Sequence, residues 1–294
     1  MRHVYRLAAH KLVSDIELPE LSAWDGRGDG TRSRGDLCFR LGKAKLDSRN
    51  GRYVVKGRDR ITVENGTSVT IEPAQGSDLT RTRSLLMGPI QAVLWHQRGL
   101  LPLHGSAVSI ARPGTANIAV ALTGPSHAGK STLAAALSAK GHPTLADDIC
   151  IVDARSAELL TGQRRLRLWR DALDGLGIKA DGLPRALSLS EKYLVETDAS
   201  ELPDRTRLAH VFLLSRQRTE GIEVRRLKAS QATVALHQVV QMMPAAESLG
   251  LGAQIFTAVT ALQAHGVMVW RLSVPDDLTR LDRTAEAVLA RLDG

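Results

Sequence analysis

Gly124-Pro-Ser-His-Ala-Gly-Lys-Ser131 matches the pattern G-x-x-x-x-G-K-[ST] at every defined position, and its flanks supply the context that pattern needs. Before it, the apolar run Ile118-Ala-Val-Ala-Leu-Thr123 reads as a buried strand. After it, Ser131-Thr-Leu-Ala-Ala-Ala-Leu-Ser-Ala-Lys140 reads as an alanine-rich helix. Strand, glycine-bearing turn and helix in that order predict an α/β fold with a phosphate-binding loop. Through Gly124, Pro125, Ser126, His127, Ala128 and Gly129 such a loop turns its backbone N–H groups toward the β- and γ-phosphates. Lys130 supplies a point charge, and the Ser131 hydroxyl, followed by Thr132 on the first helical turn, can ligate Mg²⁺. The expected ligands are therefore ATP and Mg²⁺.

Composition bounds what else the chain can be. Its 294 residues allow one large core or two modest ones, and 43% hydrophobic with 24% charged residues is the balance of a water-soluble globular protein. No apolar run approaches the length that spans a bilayer. The opening Met1-Arg-His-Val-Tyr-Arg-Leu-Ala-Ala-His-Lys11 interleaves charge with apolar residues, unlike a signal peptide. Cys38 and Cys150 stand far apart, with no metal-ligand spacing. A cytoplasmic protein without a membrane partner is the simplest expectation. Lysine and arginine outnumber aspartate and glutamate by 39 to 31, a net charge of +8, which suits acidic peptides or phosphates. No basic patch is interleaved with aromatics, which disfavours nucleic acid.

Residues 1–78 read as a β-rich N-terminal domain and 79–294 as the domain that carries the loop. In the first, Val4–Leu7, Leu37–Leu41, Arg52–Val55 and Ser68–Ile71 are strand candidates for a small antiparallel sheet. Asn50-Gly51 and Asn65-Gly66 signal tight hairpins, and Asp25–Asp36 a mobile loop. From Asp78 to Arg98 a stripe of Leu79, Leu85, Leu86, Ile90, Val93 and Leu94 predicts a helix divided at Gly88-Pro89. Leu100–Ile110 and Asn117–Thr123 are strands joined by so short a turn that they must be antiparallel neighbours, which sets His104 beside the phosphate loop. Beyond Gly141-His-Pro143 the reading gives strands at 144–146, 149–152, 157–160, 210–214 and 267–272. Helices are expected at 170–176, around 229–242 and 245–264, and at 276–292.

Asp147 and Asp148 follow Lys130 by 17 and 18 residues. The helix carries the chain about 15 Å from the phosphates at 1.5 Å per residue. A strand of four or five residues brings it back over a similar length. One carboxylate can then hold Mg²⁺ while the other takes the proton of an attacking hydroxyl, the two roles phosphoryl transfer requires. Strand register decides which does which.

Three segments in register, Leu103-His-Gly-Ser-Ala-Val108, Thr123–Ser131 and Lys140-Gly-His-Pro-Thr-Leu-Ala-Asp-Asp148, resemble the catalytic core of HPr kinase/phosphorylase. The resemblance covers about residues 100 to 153. It implies a P-loop kinase core of the HPr kinase/phosphoenolpyruvate carboxykinase type and ATP-dependent phosphorylation of a serine. Asp147 would be general base, Asp148 would join Ser131 on Mg²⁺, and His104 would position the reacting groups. Family precedent also implies a homo-oligomer. The chain departs from that family at His127, where glycine is usual, and at Thr132, where glutamate is common. It also lacks a convincing counterpart of the arginine/glycine-rich signature of phosphorolysis. Tyr5-Arg-Leu, Ser14-Asp-Ile-Glu-Leu-Pro-Glu20, Leu166–Leu176 and Glu191-Lys-Tyr193 are similar to the branch found with lasso-peptide modification. That branch implies a partner: a precursor peptide whose C-terminal serine is the acceptor. The alternatives are a nucleotide-binding regulatory module and a small-molecule kinase. Lys192 reads first as a solvated lysine and second as a charge for the transferring phosphoryl group. Arg164–Trp169 reads first as an edge strand with a wet face and second as a dock for an acidic peptide.

Overall fold

The computed structural model describes residues 2–24, 26, 36–44, 52–56, 59–77, 79–112, 114–163, 165–186, 191–197, 202–217 and 221–292. The mobile loop expected at 25–36 lies, save Gly26 and Asp36, outside the described residues, as does the Asn50-Gly51 turn. The fold is mixed α/β with several sheets.

The first sheet comprises β1 (His3–Leu7), β2 (His10–Ser14), β3 (Leu37–Leu41), β4 (Tyr53–Lys56), β5 (Arg60–Glu64) and β6 (Ser68–Glu72), in the order β1-β2-β3-β6-β5-β4. It is mixed rather than antiparallel, because β3 runs parallel to both β2 and β6. The long connections on either side of β3 return the chain to the same end of the sheet, which a hairpin cannot do. Asn65 and Gly66, at φ 55 and 65, are the central residues of the turn between β5 and β6, closed by Thr67 N donating to Glu64 O at 3.1 Å. Both central residues sit at positive φ, which matches the right-handed twist of the flanking strands.

Against this sheet lies the divided helix: α1 (Leu79–Leu85), a π-helical turn Leu86–Ile90, and α2 (Gln91–Gln97). The break falls at Gly88, whose backbone (φ −124, ψ −108) leaves the helical region just before Pro89. Leu86, Met87, Ile90 and Trp95 bury their side chains with Leu12, Phe39, Ile61 and Ile71 of the sheet. The same cluster continues into Ile149, Ile151 and Leu160, so one core runs from the first sheet into the second.

The second sheet uses β7 (Leu101–Ile110), β8 (Ile118–Thr123), β9 (Thr144–Ala146), β10 (Ile149–Asp153) and β11 (Glu158–Leu160). The strands β12 (Arg165–Leu168) and β13 (Tyr193–Glu196) form a separate pair, and β14 (Arg205–Gln217), β15 (Glu223–Arg226) and β16 (Met268–Pro275) complete the large sheet. Its order is β11-β10-β7-β8-β14-β16-β15, with β9 on β7. Antiparallel pairing of β7 with β8 follows from their short connection, and β8, β14 and β16 are parallel. Helices cover both faces. α3 (Lys130–Ala139), α4 (Arg170–Gly175) and α8 (Leu281–Leu289) pack with Val120 and Leu122, whereas α5 (Ala229–Gln238), α6 (Met243–Ser248) and α7 (Gly252–Ala264) pack with Ala119 and Ala121. Period-two alternation along β8 explains the split. Leu166 and Leu168 of β12 join the α3 side, which seats the small β12–β13 sheet against the loop helix. Among the described residues, no helix is long and apolar enough to cross a membrane.

Candidate functional site

The segment Gly124–Gly129 bridges β8 and α3. Gly124 has φ 136, and a Cβ there would stand 2.5 Å from the Leu214 carbonyl oxygen, so no other residue fits. Gly129 (φ 94) begins α3, and Leu133 N donates to its carbonyl at 2.9 Å. His127 also adopts a left-handed conformation, φ 66. Its ring stacks on Trp169, with centroids 5.5 Å apart and planes at 27°, so the residue that departs from the glycine pattern is held by an aromatic neighbour.

Lys130 folds back over its own loop. Its Nζ donates to the carbonyl oxygens of Gly124 (3.1 Å) and Pro125 (2.8 Å). Burial pushes its pKa down, and the nearby Asp147 and Asp148 oppose that shift. The ammonium thus sits where the loop can hand it to an incoming anion.

The two aspartates occupy the joint between β9 and β10, not a continuous strand. Asp147 is 3% exposed. Its Oδ1 accepts from Ser106 Oγ at 2.6 Å and from Ser131 Oγ at 2.8 Å, and its Oδ2 accepts from Arg167 N at 2.9 Å. Asp148 takes a left-handed backbone, φ 69, and lines the neighbouring cavity, whereas Asp147 is buried. Its Oδ2 accepts from Arg167 Nη1 at 3.2 Å. On another side lies Gly88 at the helix break, where a Cβ would come within 3.8 Å of the same oxygen. The carboxylate that meets the Ser131 hydroxyl is therefore Asp147, although the family resemblance implied Asp148 as that hydroxyl's companion on Mg²⁺.

His104 lies on β7, opposite Ile149 of β10. Its Nδ1 is 3.2 Å from the Asp148 carbonyl oxygen. A carbonyl only accepts, so Nδ1 carries the proton and Nε2 is left as an acceptor. Burial, then the Lys130 charge, pushes the imidazole pKa down, so the ring is neutral at pH 7. Cys150 is fully buried and its thiol is pushed up, chiefly by burial, which removes it as a nucleophile.

A cavity of about 740 Å³ opens over these groups, lined among others by Lys130, Ser131, Asp148, Arg167, Trp169 and Lys192. A second, of about 460 Å³, lies against Gly124 and Pro125 with Gln217, Gln238 and Gln241 in its walls. The two share His104. Lys192 places its Nζ 5.2 Å from the Trp169 ring centroid. The expected site residues Gly124–Thr132, His104, Asp147 and Asp148 are thus gathered around one loop. Reading the sequence did not single out Ser106, Arg167 and Trp169. Ser106 lay inside the quoted His-Gly-Ser motif without a role, and Arg167 and Trp169 lay in a segment read first as a wet edge strand and second as a dock for an acidic peptide.

Among the described residues, no three His, Cys, Asp or Glu side chains converge as a metal cage. The donor pair Ser131 Oγ and Asp147 Oδ1 does suit Mg²⁺, a hard cation held through one or two protein oxygens with waters and phosphates completing the shell.

No protein-family model matches the chain, and no curated protein matches it. Among solved structures, the Hpr(Ser) kinase/phosphatase from Coxiella burnetii aligns with 66% of this chain and 99% of its own, at 13% identity and a TM-score of 0.32. A superposition at that score fixes neither fold nor activity.

Proposed function

We propose that the protein is an ATP-dependent kinase that phosphorylates a serine hydroxyl, with the C-terminal serine of a precursor peptide as acceptor. The observation that carries this reading is the convergence of Ser131 and Asp147 at the head of the loop helix, beside an Asp148 that opens on a cavity. The loop N–H groups and Lys130 bind the β- and γ-phosphates, and Lys130 exchanges its two carbonyl partners for phosphate oxygens. Ser131 and Asp147 would hold Mg²⁺, which when bound neutralises phosphate charge and orients the γ-phosphoryl group. Ser106 and the Arg167 N–H fix the Asp147 carboxylate in the orientation that meets Ser131. Asp148, partly exposed to the cavity, accepts the proton of the acceptor hydroxyl. Neutral His104 holds the Asp148 backbone through its carbonyl.

The acceptor half of the cavity supports a peptide. Trp169 offers an aromatic wall, and Arg170 and Lys192 suit a carboxylate close to the reacting hydroxyl. Incubation with labelled ATP and peptides ending in serine, with alanine-terminated controls, tests the reading by mass spectrometry. The expected result is phosphate on the serine peptide alone. Label on small metabolites only, or free phosphate without a labelled acceptor, would return the site to a small-molecule kinase or a regulatory nucleotide switch.

A further inference from the structure

We propose that Arg167 is a catalytic residue that changes partner during the reaction: its guanidinium holds Asp148 before the nucleotide arrives and moves onto the transferring phosphoryl group afterwards. The inference rests on the phosphotransferase reading above.

Arg167 meets both aspartates through different atoms. Its backbone N–H is fixed to Asp147 Oδ2 at 2.9 Å, and its guanidinium reaches Asp148 Oδ2 at 3.2 Å. The first contact belongs to the strand and cannot move without it, because Leu166 and Leu168 on either side are buried against the loop helix. The second belongs to a long side chain and can. A guanidinium has five donors in a planar fork, and among the described residues only Nη1 has a partner. The side chain is 19% exposed and lines the cavity beside Lys130 and Ser131. The neighbouring cations have carboxylate partners elsewhere: Arg170 pairs with Asp174 and Arg216 with Asp276.

Two demands then conflict at Asp148. A carboxylate oxygen occupied by a guanidinium is poorly placed to receive a hydroxyl proton. A nucleoside triphosphate brings several negative charges within reach, and a guanidinium fork fits phosphate oxygens in a bidentate manner. Transfer of Arg167 to the γ-phosphate therefore uncovers the base and adds a cation at the charge that develops. In the step itself the acceptor O–H bond breaks and its proton passes to Asp148. The acceptor oxygen bonds to the γ-phosphorus while the bond from that phosphorus to the β–γ bridging oxygen breaks, and ADP leaves with that electron pair.

The test compares wild type, Arg167→Ala and Arg167→Lys for peptide phosphorylation, for ATP binding by calorimetry and for thermal unfolding. Both variants keep the backbone N–H that holds Asp147. Arg167→Ala is expected to lose at least about 100-fold in kcat and to bind ATP more weakly, while the unfolding midpoint stays close to wild type. Millimolar guanidinium should restore part of that loss. Arg167→Lys should fall between the two, because a point charge lacks the fork. Turnover in Arg167→Ala within about threefold of wild type would overturn the inference. So would a loss that guanidinium does not repair and that tracks a lowered unfolding midpoint. A wild-type protein that phosphorylates no acceptor would instead remove the phosphotransferase reading, and this inference with it.

Discussion

At the scale of single residues, the proposed kinase separates charge that would bind from charge that would react. Lys130 Nζ donates to the carbonyl oxygens of Gly124 and Pro125, and Lys130→Ala removes that charge from the loop. Nucleotide binding measured by calorimetry should weaken and transfer should be lost, with circular dichroism unchanged. Wild-type turnover in that variant would end the phosphate-loop reading. The aspartates should divide in the order the hydrogen bonds indicate. Asp147→Asn replaces the carboxylate that Ser106 and Ser131 share, and should weaken Mg²⁺-dependent ATP binding as well as turnover. Asp148→Asn should lose transfer while ATP still binds with Mg²⁺. If Asp148→Asn loses binding and Asp147→Asn keeps it, the roles are the reverse. The presence of this pair beside the loop was legible from a count of residues along one helix and one returning strand. The different partners of the two carboxylates were not. They depend on the left-handed backbone of Asp148, which no pattern of aspartates announces. Arg167 was missed for a related reason: alternation of basic and apolar residues identifies a strand, but not what faces its polar side.

At the scale of elements, legibility followed the strength of local signals. The loop helix, the division at Gly88-Pro89 and the Asn65-Gly66 turn each carry residues whose backbone preferences match what they do. β2 was missed because its hairpin turns on Ala8 and Ala9, at φ 48 and 66, residues that give no turn signal and are held in that conformation by burial. β14 was seen only as His210–Leu214, although it runs from Arg205 to Gln217, since its flanks are polar and gain their pairing from β11 and β16. The middle of that strand makes a pH prediction. His210 is 2% exposed and packs with Phe212 and Trp270, and its Nδ1 accepts from Trp270 Nε1 at 3.1 Å. Burial, then Arg112, Arg226 and Arg207, push its pKa down to about 4. Between the ordinary value of 6.5 and that value the unfolded chain binds a proton that the folded chain refuses. Stability from this residue is therefore intact above pH 6.5 and falls as pH drops through that window. His210→Gln keeps an acceptor in the side chain but does not titrate. Its urea midpoint should fall less between pH 7 and about pH 4.5 than that of wild type, by the linkage of one proton. Equal slopes would show that His210 does not feel its arginines in this way.

At the scale of the whole molecule, the question is whether the first sheet is a passenger. Its core does not close on itself: Trp95, at 0% exposure, packs with the sheet, and the same cluster takes in Ile149 and Ile151, the strand that begins immediately after Asp148. The π-helical turn that carries Gly88 to Asp148 is part of that cluster through Leu86, Met87 and Ile90. Loosening the first sheet should therefore reach Asp148 by ordinary packing. Trp95→Ala tests this. Removing a fully buried tryptophan from such a core costs about 3–5 kcal/mol. Trp24, Trp169 and Trp270 remain as fluorophores, one in the first third of the chain and two beyond it. We expect wild type and variant each to unfold in a single transition in urea, followed equally by fluorescence, circular dichroism and residual transfer activity, with the variant's midpoint lower. In the wild type, two separated transitions, with transfer surviving the first, would show instead that the loop-bearing sheet stands without its neighbour. The nearness of Gly88 to Asp148 would then be without consequence for catalysis.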